Sequence, residues 1–405
     1  MNKTEVKIPE MLFFQEGPGV RNTQYTSSGV KLLNVANLVD GKVDLSTSYR
    51  YISEDEAYGK YRHFLCDEGD FIVASSGIKV DYIDKKMGFI SREMLPLCMN
   101  TSTIRFKVLD DSKLNIKYFM YFLKSTAFKK QLAKQITGSA QLNYGPSHLK
   151  QMTFPLIDIK IQNDLVQKLD SIMRIIDQKN TSLKKLDELV KARFVEMFNC
   201  DKSNIKKLSE LTETITKGTT PTTAGFSFED DGINFFKIES ITDDHRINLQ
   251  KVAHVNEECH STFKRSQLKE GDVLFSIAGA IGRTAIIHDK DLPGNTNQAL
   301  AIIRLKANFN VSRKYLISAL ESPEVVEQYR KKKRGVAQMN LSLQDIGNIS
   351  IPVPNSTKQS EFEKFAQQVD KSKFTLSNEL AMCNFYVRLI NDSITHSRID
   401  LRMSE

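Results

Sequence analysis

Cysteine is scarce in this chain and widely spaced. The five cysteines are Cys66, Cys98, Cys200, Cys259 and Cys383. No two of them form a C-x-x-C pair, and an odd number of separated cysteines favours neither a disulfide framework nor a structural zinc site. Cys259 is followed by His260, but no second pair lies at metal-ligand spacing. We therefore expect no metal site.

Long apolar runs are also missing. No stretch approaches the roughly 18 residues that a membrane-spanning helix needs. The first residues, Met1–Glu5, lead into no apolar segment of the kind that a signal peptide contains. Apolar residues make up 40% and charged residues 26% of the 405 positions, which is normal for a folded protein of two or more domains. We expect a cytoplasmic protein that does not contact a membrane.

The sequence lacks the motifs of several enzyme classes. It has no G-x-x-x-x-G-K-[ST] loop for a nucleoside triphosphate and no G-x-G-x-x-G after a predicted strand. It also lacks the N-P-P-Y or D-P-P-Y sequence with which amino-methyltransferases hold the target base. The seven histidines form no H-E-x-x-H pattern, and the acidic step Asp243–His245 is isolated. We predict no catalytic, cofactor-binding or metal-binding residues, and hence a protein that is not an enzyme.

The chain contains an internal repeat with a period of about 200 residues. Residues 117–162 and 314–359 align without gaps, and 12 of these 46 positions are identical. Roughly three identities are expected by chance at average residue usage. The densest match is Gly138–Asn143 against Gly335–Asn340. A repeat this long indicates a duplicated domain rather than a solenoid, whose repeats have at most about 50 residues.

The two copies share the order of their predicted elements. Glu68–Asp70 aligns with Glu270–Asp272, and β-like runs cover 30–35, 70–74 and 103–108 in the first copy. We predict one helix from Ile116 to Gln135, followed by a polar loop. An apolar run then contains Pro155 in the first copy and Pro352 in the second. The predicted fold class is α+β, with two duplicated globular domains.

Each copy ends in a long amphipathic helix. No proline or glycine occurs between Lys160 and Asn199, and the apolar residues follow the spacing of a heptad seam, which Lys179 interrupts. Neither helix can bury its apolar stripe alone, so we predict that the two pair as an antiparallel coiled coil. The alternative is that each helix covers its own domain. The predicted contact residues are Leu169, Ile172, Ile176, Leu183, Leu186, Val190, Val369, Leu376, Leu380 and Val387.

Two loops in equivalent positions are candidates for DNA contact. The loop Glu16–Tyr25 of the first copy offers Arg, Asn and Gln side chains, which can bind base edges through two hydrogen bonds. The loop Lys217–Thr222 of the second copy has a different chemistry. Unlike loops on duplicated domains would suit two different half-sites, although each could also be an ordinary surface loop. The candidate contact residues are Arg21, Asn22, Gln24, Tyr25, Lys217, Thr219, Thr220 and Thr222.

Basic residues precede the repeated Gly-x-Ala-Gln-x-Asn block in both copies. The net charge of +8 and the pI near 9.0 are compatible with a polyanionic partner, but many proteins without one are equally basic. Basic runs usually form solvated faces or contact phosphates without sequence information. The candidate basic contacts are Lys79, Lys129, Lys130, Lys134, Arg330, Lys331, Lys332, Lys333 and Arg334. The shared Gln141, Asn143, Gln338 and Asn340 cannot distinguish half-sites, so we assign them to loop structure or backbone contact.

The order of these elements resembles the specificity subunits of type I restriction-modification enzymes. In that family a target-recognition domain and a long helix are followed by a second domain and a second helix. The local matches are Gly17–Arg21, Arg193–Phe198, Lys217–Pro221, Gly271–Asp272, Ser276–Gly282 and Asn297–Ala299. The first copy departs from the second at Ser75–Gly77. We place the two domains at 1–157 and 201–353, the two helices at 158–200 and 354–395, and a polar tail at 396–405.

The resemblance implies a subunit that recognises double-stranded DNA without catalysis. Each domain would recognise one half of a bipartite target, while the helices would set the spacer and dock methyltransferase subunits. Two such subunits would bind S-adenosylmethionine and methylate one adenine in each half-site. Motor-nuclease subunits would use ATP and magnesium, so this chain itself would bind no cofactor.

Other functions also fit the sequence. The chain could be the recognition subunit of another multi-subunit restriction or methylation system, which neighbouring genes would reveal. It could be a coiled-coil scaffold that binds no DNA, which a gel shift with duplex DNA would reveal. It could also be an enzyme with an unrecognised active site, against which the missing motifs argue.

Overall fold

The computed structural model describes residues 3–135, 142–198, 204–330 and 340–394. The chain forms two compact units. The first unit consists of the residues up to Asn180 together with those from Asn378 onward. The second unit is Thr181–Ser377.

The first unit is built mainly from short strands. Its strands are β1 (Thr4–Lys7), β2 (Leu12–Glu16), β3 (Val30–Leu33), β4 (Leu38–Val39), β5 (Lys42–Val43), β6 (Tyr51–Ile52), β7 (Phe71–Ala74), β8 (Ser76–Ile78), β9 (Met87–Phe89), β10 (Leu97–Met99), β11 (Thr103–Val108), β12 (Leu142–Asn143) and β13 (Thr153–Leu156). Its helices are α1 (Ile8–Met11), α2 (Glu54–Tyr58), α3 (Ile116–Leu123), α4 (Thr126–Gln135), α5 (Pro146–Leu149) and the N-terminal part of α6 (Ile159–Phe198).

The second unit repeats most of these elements. Its strands are β14 (Ile205–Lys207), β15 (Thr212–Lys217), β16 (Ile233–Phe236), β17 (Ala253–Val255), β18 (Val273–Ser276), β19 (Thr284–Ile286), β20 (Gly294–Thr296), β21 (Leu300–Leu305) and β22 (Ser350–Pro352). Its helices are α7 (Leu208–Leu211), α8 (Glu257–Thr262), α9 (Arg313–Glu321), α10 (Pro323–Arg330), α11 (Leu343–Gly347) and parts of α6 and α12 (Ser356–Ser393).

The sheets of the two units have the same topology. A four-stranded antiparallel sheet has the order β2-β11-β7-β9 in the first unit and β15-β21-β18-β19 in the second. Each unit also has a three-stranded sheet. In the first unit β3 pairs with β10 in parallel and with β6 antiparallel, and in the second β16 pairs with β20 in parallel and with β17 antiparallel. A two-stranded sheet pairs β1 with β13 in the first unit and β14 with β22 in the second. Strand β13 directly precedes α6, and β22 directly precedes α12. The structure therefore confirms the duplicated α+β architecture.

The central strands β11 and β21 alternate between the two faces of their sheets, and both faces are covered. Phe106 of β11 packs against Phe71 and Phe119, with ring centroids 6.1 and 5.3 Å apart. In the second unit, Ile303 of β21 lies in one apolar cluster and Ile302 in another. Burial on both faces explains why β21 is a nearly continuous apolar run, whereas β11 alternates apolar residues with Arg105 and Lys107.

The single helix predicted from Ile116 to Gln135 is wrong, because the structure has two helices there. Helix α3 ends at Leu123 and α4 begins at Thr126. The buried Ser125 lies between them, and its hydroxyl accepts a hydrogen bond from the Phe128 backbone N–H at 3.3 Å. Serine in this role favours the start of a new helix, and the apolar pattern alone does not show the break.

The repeated Gly-Asp pair has a structural role. Asp70 is 2% exposed and lies 3.1 Å from an Nη atom of Arg105 on β11. In the second unit Asp272 binds Arg304 on β21 through two hydrogen bonds of 2.7 Å, which raise the pKa of Arg304. Each aspartate thus fixes the turn before one strand to the central strand of the same sheet.

A repeated glutamine fixes the start of each long helix. The Gln162 amide donates to the carbonyl oxygens of Lys113 and Ile157, at 2.8 and 2.7 Å, and accepts from the Asn115 backbone N–H at 2.9 Å. Gln359 makes the three equivalent hydrogen bonds, at 2.8 to 3.1 Å, in the second unit. Both side chains are buried, so these amides depend on the partners described.

Candidate nucleic-acid interface

In each four-stranded sheet, the loop after the first strand begins with a glycine that lies against the backbone of a neighbouring turn. The loop after β2 starts at Gly17, where an added Cβ would lie 2.1 Å from the Asn100 carbonyl oxygen. The loop after β15 starts at Gly218, where an added Cβ would lie 1.5 Å from the Thr296 oxygen. Any side chain would clash with this backbone, so glycine is required at both positions. The two loops predicted to contact DNA therefore begin at equivalent places.

Two further segments join this edge in each unit. In both units, the residues directly after β7 or β18 hydrogen-bond to the turn before the central strand, β11 or β21. They also hydrogen-bond to the segment that follows Asn143 or Asn340. The backbone hydrogen bonds are Ser75 N–H to Ser102 O (2.8 Å) and Tyr144 N–H to Ser75 O (2.9 Å), with Ile277 N–H to Ala299 O (2.8 Å) and Leu341 N–H to Ile277 O (2.9 Å) as their equivalents. The repeated Asn143 and Asn340 are exposed beside these bonds. We refer to these loops and turns as the loop edge of each unit.

In the first unit, the side chains of Arg50 and Asn100 both approach Tyr25 at the loop edge. The guanidinium carbon of Arg50 lies 5.3 Å from the centre of the Tyr25 ring, and one Nη lies 3.4 Å from the Tyr25 hydroxyl. Asn100 Nδ2 lies 3.5 Å from the same hydroxyl and 2.9 Å from Asn34 Oδ1. Cation–π attraction and the long hydrogen bond to the Tyr25 hydroxyl orient the guanidinium.

A lysine and two more tyrosines lie next to this group. Lys31 Nζ lies 4.8 Å from the Tyr49 ring centre and 5.8 Å from that of Tyr51. Tyr49 is 69% exposed. We call Tyr25, Lys31, Tyr49, Arg50 and Tyr51 the tyrosine–arginine surface. Four of these five residues were not among the predicted contacts, although the alternating Tyr49-Arg50-Tyr51 run was visible in the sequence.

The other predicted residues of this loop differ in whether their side chains are exposed or hydrogen-bonded within the unit. Arg21 and Asn22 are exposed, and the Arg21 backbone N–H, rather than its side chain, is used locally, in a 3.0 Å hydrogen bond to Gln24. The Gln24 amide donates to Glu56 at 2.6 Å and to the Tyr61 hydroxyl at 3.0 Å. Gln24 thus has internal partners, whereas Arg21 and Asn22 are free to meet a ligand.

The predicted lysines of the first unit lie on and beside α4. Lys129 forms an ion pair with Asp84 at 3.3 Å and also donates to a backbone oxygen, which gives it a structural role. Lys79, Lys130 and Lys134 are exposed. Lys129 and Lys130 line a cleft of about 820 Å³ that also contains Lys124, whose pKa is lowered by burial.

In the second unit, the loop edge has hydroxyl and amide groups, and the place of Tyr25 and Arg50 is taken by Phe228 with Lys237 Nζ 4.0 Å from its ring centre. The Thr220 hydroxyl donates to the Gln298 side-chain oxygen. Lys217 and Thr222 are exposed, and Thr219 is half-buried. The predicted residues therefore lie at one edge, together with Gln298, and their chemistry differs from that of the first unit.

Two further sequence predictions concern basic residues of the second unit. Arg330 is exposed at the C-terminal end of α10, the equivalent of α4. Lys331, Lys332, Lys333 and Arg334 lie outside the described residues, as do Gln141 and Gln338. Of the basic run, only Arg330 lies within the described residues.

The predicted contact residues of the long helices are less exposed than their neighbours. Leu169, Ile176 and Val369 are buried, and Ile172, Leu183, Leu186, Val190, Leu376, Leu380 and Val387 are half-buried. In the first unit, Lys179 within this row forms an ion pair with Glu379 at 2.5 Å. In the second unit, Lys373 pairs with Asp187 at 2.5 Å and Arg193 with Glu361 at 3.1 Å.

The described residues lack two other kinds of feature, a metal-binding cluster and a membrane-spanning helix. Within 3–135, 142–198, 204–330 and 340–394, no group of three or more His, Cys, Asp or Glu side chains could hold a metal ion. No helix in the same part of the chain is both long and apolar enough to cross a membrane.

Comparison with known proteins gives consistent matches. Residues 25–188 and 201–381 match the family described as type I restriction modification DNA specificity domain. The chain is 25% identical over 324 residues to the type I restriction enzyme EcoBI specificity subunit of Escherichia coli, a match that covers 71% of this chain and 66% of that protein. It is 24% identical over 208 residues to the MjaVIII specificity subunit of Methanocaldococcus jannaschii, covering 50% of this chain and 47% of that one. Both matches thus span less than two thirds of the relative's length.

A solved structure has the same fold. It is a chain from work on complex assembly and conformational transition of the type I R-M system, with a TM-score of 0.58, 16% sequence identity and 98% coverage of both chains. At this identity the likeness concerns the fold alone. The two segments that match the family account for most of the sequence and follow the two units of the fold. The chain therefore belongs to the type I restriction modification DNA specificity domain family.

Proposed function

We propose that this chain is the DNA-sequence-recognition subunit of a type I restriction-modification system and that it catalyses nothing by itself. The observation that carries the proposal is the duplicated loop edge with unlike side chains. One edge presents Tyr25 and Arg50, and the other presents Thr220 and Gln298. Base identity is recognised through donors and acceptors at base edges, so two similar scaffolds with unlike donors and acceptors can recognise two different half-sites.

The proposed complex contains other subunits for the chemistry. Two methyltransferase subunits would bind S-adenosylmethionine and transfer a methyl group to one adenine in each half-site. Motor-nuclease subunits that use ATP and magnesium would join them for restriction. The names of the two relatives, both specificity subunits of type I restriction enzymes, support this division of labour.

We also propose that the long helices pair as an antiparallel coiled coil, dock the methyltransferase subunits and set the spacer between the half-sites. The ion pairs of the second unit support this pairing, because Asp187 contacts Lys373 and the later Arg193 contacts the earlier Glu361. Contacts in opposite order are expected of antiparallel helices. The Lys179–Glu379 ion pair also gives the cation within the apolar row of α6 a carboxylate partner, which lowers the cost of placing it there.

The decisive experiment is reconstitution. The chain, purified alone and together with an N-P-P-Y-type methyltransferase from the neighbouring genes, is incubated with S-adenosylmethionine and plasmid DNA. We expect adenine methylation at one bipartite sequence with both proteins and none with either protein alone. Methyl transfer by the isolated chain would contradict the non-catalytic proposal. Failure to shift duplex DNA at low salt, where phosphate contacts are strongest, would contradict DNA recognition.

A further inference from the structure

The tyrosine–arginine surface is held in place by the three-stranded sheet of the first unit. The Leu32 backbone N–H on β3 donates to the Arg50 carbonyl oxygen at 2.8 Å, and Thr26 pairs with Tyr51. These bonds bring Tyr25 and Arg50 together although 25 positions separate them in the sequence. Backbone pairing therefore positions the guanidinium before any ligand binds, which lowers the entropy lost on binding.

The Arg50 side chain is available for an external partner. It is exposed, and within the part of the chain that the structure describes, no carboxylate forms an ion pair with it. By contrast Arg105 and Arg304 bind Asp70 and Asp272 inside the sheets. The Arg50 guanidinium carbon lies over the Tyr25 ring and one Nη approaches the Tyr25 hydroxyl, and the described hydrogen bonds leave its other N–H groups for acceptors.

We propose that Arg50, oriented by Tyr25, recognises a guanine in the half-site bound by the first unit. This inference rests on the proposed function and specifies the residue that selects one base pair. A guanidinium presents a planar pair of donors that matches the O6 and N7 acceptors of guanine in the major groove. The cation–π contact with Tyr25 and the hydrogen bond to its hydroxyl orient this pair of donors, whereas a phosphate can also be bound by the point charge of a lysine. The exposed Lys130 and Lys134 lack such an aromatic support among the described contacts and suit phosphate better.

In the second unit the position equivalent to Tyr25 is Phe228, and the cation over its ring is Lys237, whose Nζ lies 4.0 Å from the ring centre and which has no planar pair of donors. Thr220 and Gln298 are bound to each other there, and neither carries a charge. Loss of the Arg50 fork should therefore alter one half of the target and leave the other half unchanged. This asymmetry separates a base contact from a general loss of DNA affinity.

The test uses the full chain with its methyltransferase partner in cells, and sequencing of the methylated adenines. We compare Arg50→Ala, Arg50→Lys and Tyr25→Phe with the control Arg92→Ala, an exposed arginine in the turn before β10. In Arg50→Ala and Arg50→Lys, one base pair of one half-site should become degenerate, with about 5- to 150-fold weaker preference for G·C there. Tyr25→Phe keeps the ring and should retain most of the preference. The control should methylate the original sequence.

Several outcomes would overturn the inference. An unchanged target with Arg50→Ala would show that Arg50 contacts no base. Uniformly weaker methylation that Arg50→Lys restores would identify a phosphate contact. If the Arg50 variants melt well below the unaltered chain, Tyr25→Leu provides the second test. It removes the ring and should weaken the preference for G·C at the same base pair. Absence of methylation with the unaltered chain would instead contradict the proposed function.

Discussion

Lengthening both long helices should widen the spacer of the DNA target. We would insert four helix-forming residues after Leu186 in α6 and four after Lys373 in α12. The ion pair between Asp187 and Lys373 shows that these two positions lie side by side within the second unit. A matched insertion therefore keeps the contacts on both sides of it in register. Both half-site sequences should be kept, and the unread spacer should grow by one or two base pairs.

The size of the change follows from helix geometry. Helix α6 has 40 residues and is about 60 Å long at 1.5 Å per residue. Four more residues add about 6 Å and a net rotation of about 40°. Each DNA base pair adds about 3.4 Å and about 35°. Two base pairs fit the added length and one fits the added rotation, so the loops need to absorb only a small mismatch. Two inserted residues would add about 200°, and methylation should then fail at any spacer.

The assay is methylome sequencing of cells that express each variant with the methyltransferase partner. The control carries the same four residues in the exposed turn after Asp111, outside the long helices, and should keep the original spacer. Full methylation at the original spacer in the lengthened variant would refute the reasoning. The helices would then not set the distance, although each unit could still recognise its half-site.

The remaining predictions concern individual residues and one exchange. Asp70→Leu should lower the free energy of unfolding by about 3–5 kcal/mol, because it leaves the Arg105 charge buried without its carboxylate, and adding Arg105→Met should recover part of this loss in urea melts. Equal destabilisation by both variants would argue against the ion pair. Arg21→Ala should weaken recognition of one half-site only, by about 1–3 kcal/mol if it contacts a guanine through two hydrogen bonds, and gel shifts with each half-site altered would measure this. Exchange of residues 201–353 for those of a relative should change one half of the methylated sequence, and a change in both halves would contradict two independent recognition units.

The duplicated scaffold could be predicted because the two copies conserve residues that hold it together. Tyr118 and Tyr315, both anchors of the sequence repeat, donate to the carbonyl oxygens of Pro155 and Pro352 at 2.7 and 2.6 Å. Gln131 donates to the carbonyl oxygen of Thr153, and its equivalent Gln328 donates to that of Ser350 in the second unit. A buried hydroxyl or amide needs a specific partner, so identity between the copies is a direct sign of a shared contact.

The tyrosine–arginine surface could not be found in this way. Tyr25 and Arg50 meet because Thr26 pairs with Tyr51 and the Leu32 N–H binds the Arg50 carbonyl, and the loops that carry them have no identical equivalent in the second unit. Comparison of the copies therefore points away from these residues. The break between α3 and α4 is an intermediate case, because the second copy has Pro323 as the first residue of α10 and the first copy has Thr126 there. Proline at a helix start marks the boundary that the first copy leaves hidden.

These two kinds of residue separate stability from recognition in the fold. Asp70, Asp272 and the repeated glutamines are buried and bind the scaffold, whereas Arg50 and Arg21 are exposed on its edge. The loops are constrained mainly at their start, by Gly17 and Gly218, where any side chain would clash with backbone. Beyond those glycines the loop residues can differ without disturbing the sheets. Substitutions at the loop edge should therefore change the recognised sequence at little cost in stability, which allows two copies of one domain to acquire different targets.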